Sequence, residues 1–388
     1  MLKLGGAVKI SSQNREPYLS LISESDNLPR VLSEERLLLY SIGMDYQNFR
    51  GLIIRNDEPV PTPYNGDIIR VGPEYNYISN NDIARVNPHD SSIRVLFRAA
   101  SETNSILLTE RCNHYCLMCS QPPIDQDDSY LMEEAFRLIK MIPKNTKAIG
   151  FTGGEPTLYG QKFIDLISHT KNHLPATWLD VLSNGRAFQN EKFASDLASI
   201  KHESLSINIP LYSDDPDRHN YIVQAENAFD ETVRGIINLK KHKVRVEIRI
   251  VIHKQSIKTL VSTCEFICRN LLFVDHVALM GLEITGFTRA NLDKLWIDPF
   301  EYKDVLSEAI KTLDTYGMRS SVYNHQLCTV NSDVTHRYRR SISDWKNEYL
   351  EICNQCTRKQ LCGGFFSSQI QFKHSSYIKP FVLDESIV

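Results

Sequence analysis

The chain has 388 residues, more than one hydrophobic core ordinarily serves, so two or three units are expected. Lys plus Arg number 44 against 47 Asp plus Glu, a formal charge of -3 that supplies no global field for nucleic acid or an anionic membrane. No apolar run reaches the roughly 20 residues of a membrane helix, residues 1–10 lack a signal peptide's apolar core, and seven of the nine cysteines fall in metal-like groups, so a cytoplasmic setting is expected.

Residues 1–100 carry no catalytic constellation. Ser33-Glu34-Glu35-Arg36-Leu37-Leu38-Leu39-Tyr40 predicts a short helix with Ser33 as its N-cap. Gly51-Leu52-Ile53-Ile54, Asp67-Ile68-Ile69-Arg70-Val71 and Ile93-Arg94-Val95-Leu96-Phe97 are short β-type runs between Pro, Gly, Asn and Asp. A small β-rich domain is expected, either packing against the rest or binding a peptide through an exposed strand edge.

From Ser105 the pattern becomes strand, loop, helix, repeated. Strands are expected at Ile106 to Thr109, Ala148 to Thr152, Leu179 to Leu182, Leu205 to Leu211, Arg245 to Ile252 and His276 to Met280. Helices are expected at Met132 to Met141, Lys162 to Asn172, Lys192 to Ser199, Phe229 to Lys241, Ile257 to Asn270 and Tyr302 to Tyr316. Six such β-α units make a parallel sheet, curled or open, with chemistry at the carboxyl ends of its strands.

The first strand delivers Cys112-Asn113-His114-Tyr115-Cys116-Leu117-Met118-Cys119, a C-x3-C-x2-C loop. Structural zinc wants four protein ligands and a four-iron cubane offers four attachment points, so three thiolates leave one metal position open. Three buried free cysteines, or a zinc site borrowing a distant ligand, also satisfy the spacing. The second strand ends in Gly153-Gly154-Glu155-Pro156, where two glycines allow close approach of backbone to a ligand. The third ends in Ser183-Asn184-Gly185 and the fourth in Pro210-Leu211-Tyr212-Ser213-Asp214. On the fifth, Arg245, Glu247 and Arg249 alternate with Val246, Ile248 and Ile250, so the polar side must pair or line a cavity.

Residues 301–388 are rich in cysteine again, with Cys328 preceding Cys353-x2-Cys356-x5-Cys362. Four thiolates complete the ligand set of one zinc ion or one iron-sulfur cubane. Cys264 and Cys268, four apart on a helix, are expected in the core.

The cysteine spacing, with Tyr115 before the second cysteine, resembles the signature of the radical S-adenosylmethionine enzymes. The resemblance implies a partial (β/α)6 TIM-type barrel over residues 101–300. It implies a 4Fe-4S cluster on Cys112, Cys116 and Cys119 whose free iron binds S-adenosylmethionine, cleaved to a 5'-deoxyadenosyl radical. Gly153, Gly154 and Glu155 match the GGE motif that receives the methionine amino group, and Asn184 a turn lining the cofactor chamber. Arg249 is placed to grip the methionine carboxylate or to pair with Glu247. Met280, Gly281, Leu282 and Glu283 are expected to wall the adenine, with Glu283, Tyr323 and His325 at the active end of the barrel. Pro210 stands where many relatives hold the ribose, with Ser213 and Asp214 as substitutes.

The C-terminal cysteines resemble part of the twitch and SPASM domains, with Phe366 where a further SPASM cysteine would stand. They imply one auxiliary 4Fe-4S cluster, with zinc as the rival. The runs Cys112 to Pro123, Gly150 to Gly160, Ile209 to Asp217, His276 to Pro299 and Arg340 to Phe366 resemble the HxsC-type maturases of the His-Xaa-Ser peptide system. That resemblance implies a ribosomally made precursor peptide as substrate, a paralogous radical maturase and a flavodoxin- or ferredoxin-type electron donor as partners, and no membrane or nucleic acid. A radical enzyme acting on a nucleotide or RNA, and a non-catalytic iron-sulfur or zinc module, are the alternatives.

Overall fold

The computed structural model describes residues 4–13, 15–55, 58–340 and 347–382, so the stretch 341–346 of the maturase-like run lies outside the described residues. The N-terminal strands are β1 (Gly5–Ala7), β2 (Lys9–Ser11), β3 (Tyr18–Ser23), β4 (Arg36–Leu39), β5 (Gly51–Arg55), β6 (Asp67–Val71), β7 (Ile83–Asn87) and β8 (Ser92–Phe97). They pair in the order β1-β8-β7-β3-β4-β5-β6-β2. The two ends of that order are halves of one segment broken only at Val8. Because β1 pairs with β8 and β2 with β6, both antiparallel, the sheet closes on itself. Closure takes up the free edge that the peptide-binding alternative would need.

The expected helix over Ser33 to Tyr40 is a strand. A single helical turn, α1 (Arg30–Ser33), precedes it, and Ser33 ends that turn rather than capping its start. Leu37 and Leu39 pack inside the closed sheet with Tyr18, Ile53 and Ile69, while Leu38 and Tyr40 pack outside with Phe49, Leu52 and Ile54. Both faces are apolar, so the two-residue period that marks a strand is hidden.

The second sheet runs β9 (Asn104–Thr109), β10 (Ala148–Gly153), β11 (Trp178–Leu182), β12 (Leu205–Pro210), β13 (Arg245–Ile252), β14 (His276–Gly281) and β15 (Ser320–Tyr323). All neighbours are parallel and follow chain order. The six expected strands are joined by a seventh, β15, so the curled sheet runs past residue 300 to Tyr323. Helices α2 (Ser129–Met141), α3 (Gln161–His173), α4 (Glu191–Ser199), α5 (Pro216–Val223), α6 (Ala228–Lys241), α7 (Leu260–Asn270), α8 (Phe287–Ala290), α9 (Leu292–Leu295) and α10 (Lys303–Thr315) connect the strands.

Alternation along each strand sets the two sides of this sheet. On β13 the buried residues Val246, Ile248 and Ile250 meet the helices, and Glu247, Arg249 and Val251 turn to the lumen. Cys264 and Cys268 of α7 are buried in the helix-facing core, as expected. The C-terminal region is built from short 3-10 turns, a Glu348–Phe365 bridge and α11 (Ser367–Phe372). Among the described residues no helix is long and apolar enough to cross a membrane.

Candidate active site

The cysteine loop leaves β9 at Thr109 and is fixed mainly through its backbone. Tyr115 and Leu117 donate N–H bonds to the carbonyls of Val223 (3.1 Å) and Ile222 (2.9 Å) at the end of α5. The carbonyl of Cys119 accepts from Phe287 N at 2.8 Å and that of Leu117 from Asn291 Nδ2 at 3.0 Å. From the other side, Gly154 N donates to Thr109 O and Glu155 N to Arg111 O, each at 2.8 Å. A Cβ on Gly154 would lie 2.1 Å from Arg111 O, so only glycine lets the two loops meet this closely.

Cys112, Cys116 and Cys119 all line one cavity of about 470 Å³ at the carboxyl ends of the barrel strands. Burial pushes the Cys112 thiol up to about 12, against hydrogen bonding from the His114 backbone. Burial raises Cys116 further, and Cys119 and Cys112 beside it add to the rise. Burial raises Cys119 as well, and buried thiols become ligands when a metal replaces their protons. Among the described residues no three His, Cys, Asp or Glu side chains sit at the spacing of a single bound ion. The trio in one cavity wall fits a multi-iron cluster, which spreads its sulfurs more widely.

Gly153 and Gly154 line the cavity, whereas the Glu155 carboxylate, 1% exposed, lies behind it. That carboxylate accepts from Thr157 N (3.1 Å), Thr157 Oγ1 (2.5 Å), Ser183 Oγ (2.8 Å) and Asn184 N (2.6 Å). Burial raises its proton affinity and those donors oppose the rise. Its bonds tie the Gly-Gly turn to the Ser-Asn-Gly turn, so the chamber sees the glycine backbone rather than the acid. Asn184 does line the chamber, and its Nδ2 donates to Asn113 Oδ1 at 2.6 Å.

Arg249 also reaches the chamber while its Nε donates to Glu247 Oε1 at 2.6 Å, so lining and pairing coexist. The other Glu247 oxygen lies 2.8 Å from His276 Nδ1, and His276 Nε2 is 3.0 Å from Ser321 Oγ. Pro210 of β12, beside Arg249, and Met280, Gly281, Leu282 and Glu283 on the β14 side also line the chamber. Ser213 and Asp214 are turned to α7, where Asp214 Oδ1 accepts from Thr263 Oγ1 at 3.1 Å, and they do not line the chamber. His325 is likewise spent on structure, 2.8 Å from Tyr302 Oη and 2.7 Å from Tyr323 O.

Cys328, Cys353, Cys356 and Cys362 converge on a second, smaller pocket with Tyr349 and Phe381. Leu327 N and Gly364 N donate to Cys362 Sγ at 3.3 and 3.4 Å, as backbone groups do to metal-bound thiolates. Burial raises the Cys328 thiol, with Cys362 and Cys353 adding to the rise, and four thiols lining one pocket match in number a metal group of four attachment points.

Residues 106–267 match the model of the Radical SAM superfamily. That stretch, from β9 into α7, carries a radical SAM core. A probable GTP 3',8-cyclase of Methanocella arvoryzae is 29% identical over 134 residues, 34% of this chain and 41% of the cyclase. Among solved structures, native anSMEcpe with bound AdoMet has a TM-score of 0.50 at 15% identity, covering 71% of this chain and 92% of its own. Streptococcus suis SuiB bound to S-adenosylmethionine has a TM-score of 0.46 at 15% identity, covering 56% and 49%. The matched parts therefore span about two fifths of the cyclase and about half of SuiB.

Two residues of the radical SAM core escape a motif reading. Tyr212, 7% exposed, lines the chamber, and burial together with the nearby Cys116 and Cys119 raises its hydroxyl's proton affinity. His114, buried and held near pH 3 by desolvation, places Nδ1 4.0 Å from Cys116 Sγ. The residue after a strand end and the centre of a cysteine spacing were their only signals. Phe366, four positions after Cys362, also reaches the chamber wall, while its neighbour Phe365 lines the second pocket.

Proposed function

We propose that this chain is a radical SAM enzyme that modifies a ribosomally made peptide of the His-Xaa-Ser type. When bound, the cluster and S-adenosylmethionine supply a 5'-deoxyadenosyl radical that takes a hydrogen atom from substrate. Cys112, Cys116 and Cys119 hold the cluster and leave one iron position free, while the Gly153 and Gly154 carbonyls accept the cofactor ammonium. Arg249 donates to its carboxylate, Asn184 borders it, and Glu155 fixes both turns from behind. The four C-terminal thiols hold an auxiliary 4Fe-4S cluster, with zinc as the rival, and the sister maturase and a flavodoxin- or ferredoxin-type donor complete the system.

The observation that carries the choice of substrate class is the chamber's charge. Among the described lining residues the one Lys or Arg is Arg249, whose donors go to Glu247 and, in this reading, to the cofactor carboxylate, while Asp180 and Glu283 are acidic. A triphosphate would meet no unengaged lysine or arginine there, whereas a peptide carrying imidazoles suits such a wall. The similarity to a probable GTP cyclase favours a nucleotide as the second reading. Mass spectrometry of a co-expressed His-Xaa-Ser precursor should show a mass change with the wild type and none with Cys116→Ala. An unchanged peptide, together with consumption of GTP, would establish the nucleotide reading instead.

A further inference from the structure

The chamber extends well below the cysteines, down the inside of the barrel. On β11 Leu179 and Val181 are buried against the helices, so Trp178, Asp180 and Leu182 turn inward, and Asp180 lines the same cavity as the three thiols. Ser183, where the cofactor-side turn begins, follows three positions later, which sets Asp180 about 10 Å deeper along the strand. A group at that depth faces whatever lies beneath the cofactor, not the cofactor's methionine end.

The surroundings of Asp180 leave it partly unfilled. Asn208 Nδ2 donates to its Oδ1 at 3.1 Å, and Asn208 is held in place by Ser206 Oγ at 2.9 Å. Among the described residues Oδ2 takes no side-chain donor and Asp180 enters no ion pair. Arg249, the cation in the same wall, is committed to Glu247 at 2.6 Å. Opposite Asp180 in the parallel register is Gly150, and a Cβ there would point to Ser105 Oγ at 3.3 Å. With no side chain at that position, the carboxylate is open to the lumen from its neighbouring strand.

We propose that Asp180 is the recognition residue of the chamber floor, binding a cationic or paired N–H head group of the substrate, such as an imidazolium or guanidinium. The inference rests on the chamber being the substrate's. A carboxylate oriented by Asn208 and shielded inside the barrel makes a charge-assisted bond stronger than it would in water. Reaction then occurs higher in the chamber, at the level of the cysteine loop, while the head group is anchored below. Guanine offers the same paired N–H face through N1–H and N2–H, so the two sources of this chemistry are separated by the test.

The test uses the reconstituted full chain with S-adenosylmethionine, two fluorescent peptides and two nucleotides. One peptide is a His-Ala-Ser repeat, its twin carries Gln at every His, and GTP is compared with ATP. The wild type should bind the His peptide about 10- to 100-fold more tightly than the twin, and Asp180→Asn should bind both alike. Gly150→Val, which keeps the charge but covers it, should lose the same preference. Iron content and thermal midpoint equal to wild type verify that the variants are folded. Undiminished discrimination in Asp180→Asn overturns the proposal. If no peptide binds the wild type but GTP is preferred over ATP and Asp180→Asn removes that preference, the subsite stands and the peptide reading falls. A wild type that shows neither preference overturns both.

Discussion

Glu155 accepts the backbone N–H of Asn184 at 2.6 Å, and that bond joins the turn after β10 to the turn after β11 behind the cofactor chamber. The same carboxylate takes Thr157 and Ser183, so all its donors need an acceptor-only partner. Glu155→Gln keeps the shape but sets an NH2 group against one of these donors. The expected cost is about 1–3 kcal/mol in urea unfolding of the metal-free protein, with weaker S-adenosylmethionine binding in the reconstituted one. Unchanged stability would show that the carboxylate does not hold the turns.

Gly154 tests the same junction from the backbone side. Its missing Cβ admits the Arg111 carbonyl, and its N–H bonds Thr109, so Gly154→Ala must push the cysteine loop away. We expect iron retention at the core site to fall several-fold although no ligand has changed, with a stability loss of about 1–3 kcal/mol or more. Iron analysis beside a Cys116→Ala control decides it; full iron loading in the alanine variant would refute the junction.

The C-terminal pocket makes a prediction about metal identity. Cys353→Ser combined with Cys356→Ser should remove about four irons per chain while the core cluster remains. Loss of about one zinc instead would assign the pocket to the rival metal. Metal analysis of protein from cells grown with both metals distinguishes the two results.

The lumen pair Glu247 and Arg249 makes a pH prediction. Burial raises the Glu247 carboxyl, but the His276 hydrogen bond and the Arg249 guanidinium outweigh it, so the folded value lies below the ordinary 4.5. The stability that ionised Glu247 adds is therefore present above pH 4.5 and lost as pH falls through the depressed folded value. In metal-free protein, the wild type's advantage over Glu247→Gln should shrink as the pH drops below that point. A constant difference down the acid limb of urea titrations would contradict the pairing.

Much of the barrel was legible because alternation and helical spacing recur over long segments: Arg245 to Ile252 agrees with β13 residue for residue. Ser320 to Tyr323 was not legible, since four residues beginning Ser-Ser show no alternation to read, and the strand exists because β14 offers it an edge. Leu37 to Tyr40 misled for the opposite reason, being apolar on both faces. The cysteine spacings pointed to their own clusters. Asp180 did not stand out, because a lone acid gains meaning only once the fold brings it to the chamber, and Phe366 stood out only as a missing cysteine, not as part of the chamber wall. The Gly-Gly-Glu motif was visible as a string, but which of its atoms face the chamber depends on the Ser183 and Asn184 donors from another strand.

The segment Gly5–Ser11 is synthesised before either of the strands it joins, and the later of these ends at Phe97. During translation, β2 must wait for Val71 and β1 for Phe97, so the N-terminal unit cannot seal until nearly its whole length has emerged. Until then the nascent chain presents unpaired strand edges, the part of a fold most open to pairing with another chain.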